Sequence, residues 1–68
     1  MITKDTSPQE ALKLALDREK SAREFYTRAS ELVQDKGTSK LFKELAREEE
    51  GHVRRLENEY DRFVMPEN

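Results

Sequence analysis

The sequence has no cysteine and no tryptophan, and only two glycines, two prolines and one histidine. The lack of cysteine excludes disulfides and thiolate metal sites. No apolar run approaches the roughly 20 residues that a membrane helix needs. The opening segment, Met1 to Asp5, lacks the apolar core of a secretory leader. A cytoplasmic protein with no membrane partner is therefore expected. A dominant charge sign is missing as well: 13 basic residues face 15 acidic ones, for a net charge of −2. The two signs are interspersed, so there is no basic stripe of the kind that binds nucleic acid. Apolar residues are also scarce, at 34%, against 41% charged. That share is low for a globular monomer.

What remains is a helix-forming alphabet. Ala, Glu, Lys, Leu and Arg make up 36 of the 68 residues, a share typical of long helices and coiled coils. The length allows one domain, residues 1–68, with a core too small to be comfortable alone. Domains of this size are usually stapled by a disulfide, a metal or a partner subunit. Without cysteine, a metal or an oligomer is left.

Residues 1–6 read as a frayed lead-in. Ser7-Pro8-Gln9-Glu10 is a helix start, with Ser7 as cap, Pro8 at the first helical position and Glu10 closing a capping box. The first helix is expected to run to about Asp35. Gly37 reads as its stop, in the left-handed position after a helix, with Thr38 or Ser39 capping the next. The second helix is expected from about Lys40 to Val64, since Pro66 bars its continuation. Leu12, Leu16, Glu19, Ala22, Tyr26, Ala29 and Val33 recur at three- and four-residue steps. Leu14, Phe25 and Leu32 widen that stripe. In the second helix, Phe42, Leu45, Glu49, His52, Val53, Leu56, Tyr60 and Phe63 do the same. Such stripes need more than one packing neighbour. The expected architecture is all-α: an antiparallel two-helix hairpin that dimerises into a four-helix bundle.

Glu19, Glu49 and His52 interrupt the apolar stripes. A buried, unpaired charge costs several kcal/mol, so something must compensate. Glu49 and His52, three residues apart, share one helix face. Folding the chain about Gly37 brings Glu19 to within about 4.5 Å of the level of His52 along the axis. One hairpin then offers one Glu from the first helix and a Glu-x-x-His from the second. A two-fold dimer doubles this to four Glu and two His, the ligand set of di-iron and di-manganese carboxylate bundles. Four carboxylates and two divalent cations also balance in charge. Oxygen donors with some imidazole suit iron or manganese, with zinc as a further option. Tyr26, two turns beyond Glu19, is placed to hydrogen-bond a ligand carboxylate.

At these residues the chain resembles the ferritin-like superfamily, and within it the rubrerythrin-type domain. Glu19-Lys20-Ser21-Ala22-Arg23-Glu24-Phe25-Tyr26 is similar to the E-x-x-x-x-x-[FY]-Y pattern of that family's first helix. Leu41 to His52 looks like its L-F-x-x-L-A-x-x-E-x-x-H. The resemblance implies metal ligands at Glu19, Glu49 and His52, a supporting tyrosine at Tyr26, and two irons per dimer that react with dioxygen or peroxide. Two departures accompany it. The chain carries half of the family's four helices, so the site is expected between subunits, and His52 is expected to ligate only in the assembled dimer. It also lacks the cysteine-rich module that feeds electrons to rubrerythrins, so redox cycling would draw on an external donor. After Pro66-Glu67-Asn68 no tail long enough to target an encapsulating shell is expected.

Blander readings exist for each residue alone. His52 can be a structural histidine, Glu49 part of a solvated acidic run, and Glu19 a surface partner of Arg23. Tyr26 can be a plain core tyrosine. The alternative function is a non-catalytic bundle stapled by metal, or a metal-free helical oligomerisation module. The three residues share one face, matching heights and the right stoichiometry, and together they favour the metal site.

Overall fold

The computed structural model describes residues 1–64. They form two helices, α1 (Pro8–Leu32) and α2 (Lys36–Val64), packed against each other with no strand among the described residues. Met65 and the segment from Pro66 onward lie outside them.

The start of α1 follows from its capping chemistry. The Ser7 hydroxyl accepts from the Glu10 backbone N–H at 3.0 Å, and the Glu10 carboxylate accepts from the Ser7 N–H at 3.1 Å. Two N–H groups without helical partners are satisfied at once. The residues before it differ from the frayed segment expected. Thr6 N–H donates to the Thr3 carbonyl and Thr3 N–H to the Thr6 hydroxyl, closing a local turn.

The reversal also differs from expectation. Helix α1 stops at Leu32, and Val33 is extended, with φ −74° and ψ 134°. No glycine has positive φ, and Gly37 lies inside the first turn of α2 rather than after α1. The cap of α2 is Asp35, not Thr38 or Ser39. Its carboxylate accepts from the Thr38 N–H at 2.8 Å and from the Thr38 hydroxyl at 2.7 Å. Its carbonyl accepts from the Ser39 N–H at 2.9 Å. An Asp at this position answers both the free N–H groups and the positive end of the helix dipole. It therefore starts the helix three residues sooner than a cap at Thr38 would, and four sooner than one at Ser39. The bonds from Thr38 hold the Asp35 carboxyl below its ordinary value, as the bonds from Ser7 do for Glu10.

The link is short, so the helices run antiparallel. Across it, the Ser39 hydroxyl donates to the Ser30 carbonyl at 2.6 Å. Farther along, Arg23 pairs with Glu50, and Lys20 meets Glu57 at 3.7 Å. Between the helices the core is slight: Leu16 and Val53 are the buried apolar residues among those described, Val53 being 1% exposed. The Cα trace measures 49 × 28 × 12 Å, a slab one helix thick. Both broad faces of the slab are therefore open. Phe25 remains 62% exposed and Leu32 68%.

Candidate metal centre

Two residues of the site are placed by the second helix alone. The Glu49-x-x-His52 spacing puts both side chains on one face of α2, one turn apart. Glu19 comes from α1, a turn beyond buried Leu16. The antiparallel packing brings it to the same level. One carboxylate oxygen from each Glu and one imidazole nitrogen lie within 4.8 Å of one another. His52 Nδ1 is 3.5 Å from Glu49 Oε1 and 3.6 Å from Glu19 Oε2. The Arg23–Glu50 and Lys20–Glu57 pairs lie across the seam, because Glu50 and His52 point to nearly opposite sides of α2. Lys20 and Arg23 are thus paired away from the site, while Arg55 borders it.

These distances bear on what the cluster holds. Both imidazole–carboxylate separations exceed the usual N–H···O range, which ends near 3.2 Å. Ligand atoms about 2.0–2.2 Å from a common ion are themselves separated by about 3.0–3.6 Å when they are neighbours around it. The two imidazole–carboxylate separations are of the size expected between neighbouring ligands of one cation, while the three-atom set as a whole spans up to 4.8 Å.

Burial points the same way. The Glu49 side chain is 16% exposed, and its Oε2 is buried with no hydrogen-bond partner. A buried acceptor left unpaired costs about 1–3 kcal/mol. A cation is the partner that would satisfy it. His52, at 51% exposed, and Glu19, at 32%, stand at the rim. They open onto a groove of about 640 Å³ that Arg55, Leu56 and Glu59 also line. The set of two carboxylates and one imidazole fits iron, manganese or zinc.

Tyr26 takes a different set of contacts from those expected. Its ring stacks on Phe42 with centroids 6.0 Å apart, and Phe25 meets it edge-on at 5.5 Å. Among the described residues, its hydroxyl makes no hydrogen bond to Glu19 or Glu49. The pairing of Arg23 with Glu50 was not foreseen from sequence. The blander i,i+4 pairing of Arg23 with Glu19 does not form; Arg23 pairs with Glu50 instead. The Asp35 cap had a legible signal in its Asp-x-x-Thr spacing to Thr38.

Comparison with curated proteins and with solved structures gives no match. The family profile for rubrerythrin matches residues 1–68, the whole sequence. With its two carboxylates and histidine gathered between two packed helices, the chain belongs to the rubrerythrin family.

Proposed function

We propose that two hairpins pair on the face bearing Glu19, Glu49 and His52, hold two iron ions between them, and oxidise Fe(II) at the expense of dioxygen or peroxide. The observation that carries this reading is the convergence of the three donor atoms within 4.8 Å, one of them on a carboxylate whose other oxygen is buried and unpartnered.

Iron, when bound, supplies the electron transfer to the oxidant. The protein's share is positional and electrostatic. Glu19 and Glu49 provide negative charge that favours the higher oxidation state. His52 offers Nδ1 as the one neutral donor. Leu12 and Leu56 line the groove beside the site and would exclude bulk water once a second hairpin covers them. Tyr26, on the same face of α1, would support a ligand carboxylate after pairing. Exposed Phe25 and Leu32 supply apolar surface for the second copy. Electrons for repeated turnover would come from an external donor.

The test is anaerobic loading with Fe(II), exposure to air, and a count of iron per dimer. Two irons and a ferric oxo absorbance are expected, with both lost in Glu19→Ala and His52→Ala. A ratio well below two with no ferric band overturns the reading. A second reading has support in the slight core of Leu16 and Val53: metal that only staples the pair. It predicts the same binding with no oxidation of Fe(II).

A further inference from the structure

We propose that a single hairpin is by itself a complete site for one divalent cation, and that loading this site precedes and promotes pairing. The proposal rests on the metal-site reading above and adds an order of events to it. It replaces the expectation that His52 ligates only in the assembled dimer.

Three observations carry it. All three donors belong to one chain and already lie within 4.8 Å of one another, so no second copy is needed to gather them. The two carboxylates carry two negative charges, which one divalent cation cancels inside one hairpin. Glu49 Oε2 is already buried and unpaired in the single hairpin. The cost of removing this carboxylate oxygen from water is therefore met before assembly, and a cation recovers it at once. Access is open at this stage, because His52 and Glu19 border the groove shared with Leu12, Arg55, Leu56 and Glu59.

Closing the face without metal has a different outcome. The two Glu19 carboxylates would leave water beside the two already buried Glu49 carboxylates, with only the Arg55 side chains, among the described residues, as nearby counter-charge. The penalty for removing an ion from water is several kcal/mol. Two loaded hairpins are neutral at the site and meet no such barrier. Cation binding and pairing are then coupled, and by linkage each strengthens the other by the same factor.

Cobalt(II) is a suitable probe, because its visible absorbance reports coordination without turnover. The full chain is examined by sedimentation with chelator and with cobalt, alongside Phe25→Glu, which places a charge on the exposed apolar surface of α1. Leu32→Glu is the second variant, and circular dichroism checks that both remain helical. Both variants are expected to stay monomeric and to bind one cobalt per chain. The bound-cobalt absorbance should disappear when Glu49→Gln is added. In the wild type, cobalt should raise the association constant at least tenfold over the chelated protein. A helical monomeric variant that binds no cobalt, beside a wild-type dimer that binds two, overturns the single-hairpin site and leaves the shared site standing. Equal dimerisation with and without cobalt overturns the order of events. A wild type that binds no cobalt in any state overturns this proposal and the metal-site reading together.

Discussion

Glu49 concentrates the conflict between stability and function. Its side chain is mostly buried and one oxygen has no partner, an arrangement that a fold optimised only for stability would avoid. Glu49→Leu should raise the stability of the metal-free hairpin by about 1 kcal/mol and abolish metal-dependent stabilisation, as read by urea denaturation with and without Zn(II). A loss of metal-free stability would show that the carboxylate has a structural partner. Gly37 tests the reversal. A Cβ there would meet Asp35 Oδ2 at 3.5 Å, an ordinary contact, and the backbone needs no left-handed conformation. Gly37→Ala should therefore stabilise the hairpin by roughly 0.5 kcal/mol, whereas a glycine ending α1 in the left-handed region would make the same change destabilising. Chemical denaturation distinguishes the two signs.

At the scale of the helices, the caps and the seam differ in kind. Glu10 and Asp35 both have carboxyls held below their ordinary values by hydrogen bonds from Ser7 and Thr38. Folding thus favours their ionised forms, and the stability they add is present above the unfolded pKa values, near 4. It is lost as pH falls through the lower folded values. Melting temperature should be insensitive to these two groups above about pH 5 and should fall below it, with a smaller acid slope in Glu10→Gln/Asp35→Asn. Along the seam, burial outweighs charge. The Arg23–Glu50 pair is more than one third exposed on each side, so Arg23→Ala should cost less than about 1 kcal/mol. Val53, at 1% exposed, should cost about 1–2 kcal/mol as Val53→Ala. A thermal melt of each variant checks the ranking.

For the whole molecule, the slab is too thin to bury its own apolar stripes, so stability depends on what binds to it. A cation at a hundredfold its dissociation constant adds about 2.7 kcal/mol per site. For a domain this small, 1 kcal/mol corresponds to about 4–8 °C. Removing metal with a chelator should lower the melting temperature by roughly 10 °C or more, and calorimetry should show the shift vanish in His52→Ala. No described helix is long and apolar enough to cross a membrane, so the exposed face is not explained by a helical span.

Much of this was legible from spacing. Ser7 and Glu10 mark the start of α1 because a capping box needs only local atoms. Glu19, Glu49 and His52 stand out because a charge on a three-four apolar stripe is locally inconsistent. The reversal was misread at Gly37, since a glycine after a polar segment offers the same local signal whether it ends one helix or opens the next. Asp35 won because its carboxylate could reach Thr38 and the start of α2. The partner of Arg23 has no local signal, because Glu50 is 27 residues away.

The sequence by itself determined two amphipathic helices, their antiparallel sense and the three candidate ligands, all of which follow from local periodicity and a short link. Only the tertiary structure decided that one hairpin suffices to bring the three donors together, that Glu49 is the buried member and His52 the open one, and that Tyr26 stacks on Phe42. Those outcomes depend on the rotation and register of one helix against the other, which are set by long-range packing.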